Sequence, residues 1–159
     1  MRKRFVMIVS GMLLAAAGCG GGAGAGEPLL SSTLAGSFKG QAFTPAFGVA
    51  TVYNGSNMIA LGDGPINCGS AQRNDPPAGT SAVLSVPTLD VGTYSSVFVD
   101  MIQYKGMNLD GAGSNSATVT LTAVGASSVA GSIDYSYTDS TTNDSYGISG
   151  SFEVARCPM

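Results

Sequence analysis

The chain has 159 residues, 44% of them hydrophobic and only 11% charged, with 23 glycines, three cysteines and neither His nor Trp. Seven bases against ten acids give a net charge of −3, which lacks the basic excess of a nucleic-acid binder, while the low charge argues against a disordered chain. Without histidine, Ser-His-Asp and Cys-His hydrolysis and His-ligated metal chemistry are excluded for these residues, and the length suits one domain.

The first four residues, Met1-Arg2-Lys3-Arg4, are a basic cluster, and residues 5–17 are apolar apart from Ser10 and Gly11. As a helix that stretch would span roughly 20 Å, short of a hydrocarbon core of about 30 Å. A basic head, a short apolar run and small residues after it form a secretory signal rather than a membrane span. The following Leu14-Ala15-Ala16-Ala17-Gly18-Cys19 resembles the lipobox of bacterial lipoproteins, with Ala16 where that family usually has Leu. The resemblance implies cleavage after Gly18, a diacylglycerol thioether on Cys19 and acylation of the new amine. Several acyl chains together anchor a protein stably where one does not. The residue after the cysteine, Gly20, is not the Asp that commonly retains such proteins in the inner membrane, so the resemblance favours the outer membrane. An ordinary signal peptide cleaved near Ala17 is the alternative reading.

Loss of residues 1–18 would leave four bases (Lys39, Arg73, Lys105 and Arg156) against ten acids, a net charge of −6. Such a surface disfavours anionic partners, nucleic acid included, and makes membrane attachment depend on the lipid. Residues 20–26, all Gly or Ala, form a flexible leash with a reach of about 15 Å. The expected organisation is therefore a signal peptide at 1–18, a lipidated cysteine and tether at 19–35, and a single β-domain at 36–159.

Residues 118–123 alternate polar and apolar strictly, the sign of a half-buried strand. Val129, Gly131, Ile133, Tyr135 and Tyr137 share one face of a strand, and Tyr146, Ile148, Gly150, Phe152 and Val154 share a face of another. Residues 139–144, rich in Asp, Ser, Thr and Asn, predict the turn that joins these two as a hairpin. Weaker strands are expected at 37–43, 48–53, 57–61, 82–86 and 95–104, the last with a bulge where Asp100 interrupts its apolar run. Residues 110–113, Asp-Gly-Ala-Gly, read as a further turn, and no window of the mature part has a helical stripe. The pattern predicts an all-β fold, an antiparallel β-sandwich of about eight strands or, alternatively, a small up-and-down barrel.

With Cys19 lipidated, Cys68 and Cys157 remain, and an even number in an oxidising compartment predicts a structural disulfide. No catalytic residue, cofactor or metal ligand set stands out. Most of the aspartates lie in turn contexts, and of those within strands Asp134 and Glu153 fall on the solvent face of the last hairpin. Residues 110–115 and 139–144 carry oxygen ligands suited to calcium but without EF-hand spacing, so turn chemistry explains them better. Met58, Met101 and Met107 read as core fillers, and the tyrosines as cross-strand packing instead of a sugar-stacking platform.

The reading as a whole is a non-enzymatic, lipid-anchored envelope domain with a binding or structural role, held at the membrane by its N-terminal lipid, its other partners unidentified. A lipocalin-like barrel with an interior ligand cavity is the alternative, and a hydrolase using carboxylates alone is third.

Overall fold

A computed structural model describes residues 26–158 apart from 74, 76, 77 and 107. The strands are β1 (Ser31–Ser32), β2 (Ala35–Phe38), β3 (Gln41–Phe43), β4 (Phe47–Tyr53), β5 (Ser56–Gly62), β6 (Gly79–Val86), β7 (Gly92–Lys105), β8 (Asn108–Val124), β9 (Ser128–Thr138) and β10 (Ser145–Arg156). One helical turn and a half, α1 (Cys68–Arg73), lies between β5 and β6. No helix among the described residues is long and apolar enough to cross a membrane.

The fold is all-β, and its strands join in a single sheet that closes on itself. Strands β4 to β10 each pair antiparallel with the next, and β10 returns to β4 through Ala155↔Val49 and Arg156↔Ala50. Seven strands alternating in direction end with the first and last pointing the same way, so this closing pair is parallel. The arrangement is the small barrel rather than two stacked sheets. Alternation cannot separate the two, because both bury one face of every strand.

The closing seam is narrow, and the N-terminal segment fills it. The Leu29 amide donates to the Ala46 carbonyl and the Gly48 amide to the Glu27 carbonyl, so residues 27–29 lie along the start of β4. The chain then crosses to β10, where β1 pairs Ser31↔Glu153 and β2 pairs Gly36↔Ile148. Residues 27–35, expected as part of the tether, thus pair with β4 and β10. Residues 27–35 carry no strong alternation because this segment switches partners along its length.

Two hairpins turn on residue pairs with positive φ: Lys39-Gly40 (51° and 75°) between β2 and β3, and Asn54-Gly55 (48° and 78°) between β4 and β5. Left-handed backbone at both central residues matches the twist of the flanking strands. The Lys39-Gly40 turn divides the expected strand at 37–43 into β2 and β3. The hairpin of β9 and β10 forms in full register, Ser145↔Thr138 through Ala155↔Ser128. Its turn is held by Asp139, whose carboxylate accepts from the Thr141 amide at 2.7 Å and the Thr142 amide at 3.3 Å. These two amides lower the Asp139 pKa, a sign that its oxygens serve the turn.

One expectation is overturned, and the bulge expected in the strand 95–104 is present but displaced from Asp100. Residues 110–113 are not a turn but part of β8, with Asp110↔Gln103 and Gly113↔Asp100 in the ladder. The register shifts of β7 lie between Tyr94 and Val99, around Ser96 at φ 56°, and Asp100 itself pairs regularly. The interior is packed with inward side chains such as Ile59, Leu84, Val99, Val119, Ile148 and Val154, all buried. Tyr146 is buried as well, edge-on to Phe38 and stacked with Tyr137.

Candidate functional site

The outer wall of the barrel over β4 to β8 departs from the usual polar surface. Register places Val49, Ala60, Val83, Asp100 and Gly113 in one row across these strands, on the face opposite the packed interior. Thr51, Met58, Ser85 and Phe98 form the next row. Both rows are dominated by apolar or small side chains, where an antiparallel sheet facing water would carry polar ones.

One end of this wall is roofed by α1. Asn67 caps the helix: its Oδ1 accepts from the Ser70 amide at 2.9 Å, and the Ser70 Oγ accepts from the Asn67 amide at 3.2 Å. The reciprocal pair satisfies amides that a helix start leaves free. Cys68, the first helical residue, is disulfide-bonded to Cys157 just after β10, and Gln72 Nε2 donates to the Pro158 carbonyl at 2.7 Å. Ile66, Val49, Ala60 and Cys157 pack beneath as a small core outside the barrel, separate from the interior one. Nothing in the sequence marks this helix, since six residues are too few to show a stripe.

Between this roof and the β7–β8 tip runs a groove of about 340 Å³, lined chiefly by Met58, Ile66, Val83, Phe98, Ile102 and Leu109. Phe98 and Leu109 on its walls are 39% and 59% exposed, two large apolar side chains turned partly to solvent. Polar groups enter at a few points. Asp100 and Ser85 lie in adjacent rows on β7 and β6, while Thr51 is on β4, three strands from Asp100. Thr51 is only 3% exposed, and its Oγ1 has no hydrogen-bond partner among the described residues.

Burial holds the Asp100 carboxyl above the ordinary carboxylate range. Its in-register neighbours, Val83 and Gly113, offer it no polar side chain. None of the four described bases forms an ion pair with Asp100: Lys39 pairs with Asp110 and Asp144, Arg73 with Asp75, Arg156 donates to the Gly125 carbonyl, and Lys105 at the end of β7 makes no ion pair among the described residues. No Lys or Arg among the described residues lines the groove.

The residues singled out in the sequence are scattered by comparison. Cys68 and Cys157 are joined, with Cα atoms 5.3 Å apart. Cys19 and the lipobox lie outside the described residues, as does Met107. Asp134 and Glu153 do not converge: Asp134 pairs with Ser149, four residues along β10 from Glu153, roughly 14 Å at strand spacing. Residues 110–115 belong to a strand, not to a loop that could wrap an ion, and Asp110 is engaged by Lys39 Nζ at 2.7 Å. Among the described residues no group of three or more metal-ligating side chains gathers. Tyr135 and Tyr146 are buried, and Tyr94 donates to the Asp90 carbonyl, so these three present no flat platform, while Tyr104 lines the groove. Met58 lines the groove, and Met101 is interior.

The groove was missed in the sequence, although two signals pointed to it. An Asp in the apolar run 95–104 and glycines at 111 and 113 were read as a bulge and a turn. In register they are one wall feature. Comparison of the chain with protein-family models, with curated proteins and with solved structures finds no match.

Proposed function

We propose that the chain is a lipid-anchored, non-enzymatic binding domain of the cell envelope, which takes its ligand in the outer groove between α1 and the β7–β8 tip. The observation that supports this reading is the distribution of apolar side chains. The interior is filled by buried residues, whereas apolar surface stays open outside, where Phe98 and Leu109 meet Asp100. Ligand sites are concave and mostly apolar, with a few placed polar groups, and the groove has that composition. The separation of Asp134 from Glu153 argues against a hydrolytic pair on that hairpin.

The closed barrel favours a second reading, a lipocalin-like site inside. The bulk of Ile59, Leu84 and Met101, all directed inward and fully buried, weighs against it. Pyrene, a neutral apolar fluorophore, separates the two in the purified full chain. Ser85→Trp would fill the outer groove from an exposed position and should abolish pyrene binding; unchanged binding would refute the outer site.

The anchor rests on the resemblance at Leu14 to Cys19. Gly26 lies against Pro65 and Ile66, and the Glu27 amide donates to the Ile66 carbonyl at 2.6 Å. A leash from Cys19 would thus emerge beside the groove. Metabolic labelling with a fatty-acid probe, comparing the native protein with Cys19→Ala, tests the lipid. Equal labelling of the two would sink the anchor.

A further inference from the structure

Asp100 is a carboxylate set in an apolar wall without a counter-charge. Desolvation disfavours its ionised form, and no hydrogen bond or ion pair among the described residues offsets that cost. A half-buried carboxylate without a counter-charge in a cleft is a candidate recognition group. A second observation is independent of it. Thr51, on the far side of the same groove, keeps a buried hydroxyl without a partner among the described residues, although buried hydroxyls are ordinarily hydrogen-bonded within the protein or to a bound molecule.

We infer that the groove binds a small molecule with an apolar body and a primary ammonium head, the head meeting the Asp100 carboxylate and the body lying along Val83, Ala60 and Met58. This rests on the groove being the ligand site. Charge complementarity selects the head: of the titratable groups that line the groove, Asp75 is neutralised by Arg73 and Tyr104 is a phenol, which leaves Asp100 as the one carboxylate there without a counter-charge among the described residues. An ammonium carries three donors and no acceptor, which suits a carboxylate with a hydroxyl beside it. Ser85 supplies that hydroxyl, one strand away and diagonal to Asp100 in the ladder. Thr51 lies three strands from Asp100, roughly 14 Å at sheet spacing, so it meets the opposite end of the ligand. A free amine is favoured over the headgroup of an ethanolamine lipid, because the lipid phosphate, two carbons from the ammonium, would sit close to the Asp100 carboxylate.

Three molecules of one shape test the assignment: cyclohexylmethylamine, cyclohexylmethanol and cyclohexanecarboxylate, titrated into the purified full chain by calorimetry. The amine should bind about tenfold or more tightly than the alcohol, and the carboxylate least. Asp100→Asn should bring the amine to within about twofold of the alcohol while pyrene still binds. Lowering the pH through the Asp100 titration should weaken the amine and leave the alcohol unchanged. The other titratable groups near it are Tyr104 four residues along the same strand, Asp75 with its partner Arg73, and Tyr135 from within the barrel; Asp75→Asn should leave the amine's pH dependence in place. This wild-type pH measurement stands even if a variant folds poorly. Equal affinity for amine and alcohol, with pyrene bound, would overturn the ammonium assignment alone. No binding of any ligand, pyrene included, would overturn the groove. Asp100-dependent capture on vesicles containing phosphatidylethanolamine, without binding of the soluble amine, would replace the free ligand with a lipid.

Discussion

The Phe98 ring lies across Gly113 on the neighbouring strand: a Cβ at Gly113 would come within 2.8 Å of Phe98 Cζ and 2.9 Å of the Val99 carbonyl oxygen. The missing side chain lets the ring lie flat on β8 and form the groove's wall. Gly113→Ala should therefore lift Phe98 and crowd the Val99 carbonyl, which belongs to the backbone and cannot swing away. The expected cost is about 1–3 kcal/mol in urea unfolding, together with weaker pyrene binding. Unchanged stability and unchanged pyrene affinity would show that the ring position is not set by the glycine.

The Cys68–Cys157 bridge spans 89 residues and fastens α1 to the end of β10, beside the seam where β10 meets β4. Chain-entropy arguments give a closure of this length about 4–5 kcal/mol, an upper guide because reduced chains retain structure. The double variant Cys68→Ser/Cys157→Ser should lose up to that amount. Because the link acts on the roof as well as on the seam, the groove should open before the barrel melts. Pyrene binding lost at lower urea than the barrel's circular dichroism would be the signature, whereas coincident loss would mean that roof and barrel are one cooperative unit.

Asn54 adopts φ 48° between Tyr53 and Ser56, which face each other as the last pair of the β4–β5 ladder. Asn tolerates this left-handed conformation better than other residues with a Cβ. Asn54→Ala should cost about 1 kcal/mol, and Asn54→Gly should cost little. Thermal unfolding of the two variants checks this; equal losses would point to a side-chain contact of Asn54 instead of its backbone.

Strands were legible wherever one side of the chain is wet and the other packed. β9 and β10 show this, with buried Val129, Ile133, Tyr135, Ile148 and Val154 alternating with polar neighbours. The signal weakened where both faces are covered, although the strands expected at 48–53 and 57–61 match β4 and β5, and it failed where neither is. β4 and β5 are packed inside by Ala50, Ile59 and Leu61 and outside beneath α1 by Val49 and Ala60, so their pattern blurs into a short apolar run. The first part of β8 errs the other way: its glycines suit close approach by Phe98 and Ile102, and without partners in view they resemble a turn. The groove depends on register between β4 and β8, residues up to about sixty apart in the chain, and no local window contains that register. The disulfide needed only the parity of cysteines in an exported chain, a count that carries no geometry.

Asp100 should make the unliganded protein less stable than it could be. Its carboxyl titrates above the ordinary value of 3.8 because folding strips water from it. A raised folded-state pKa means that the native state holds the proton more tightly than the unfolded chain. The associated stability is complete below the unfolded value and disappears as the pH rises through the folded one. At neutral pH the ionised group thus opposes folding, and Asp100→Asn should raise the urea midpoint. The advantage should shrink as the pH is lowered toward 3.8, where wild type also carries an uncharged side chain. Asp139 works in the opposite sense, since its two turn amides lower its pKa and their contribution fades in acid. It is common to both proteins, so the difference between them isolates Asp100. A wild type that is more stable than Asp100→Asn at neutral pH would mean that the carboxylate has a partner in the fold, and the groove would lose the unpaired charge on which ammonium recognition depends.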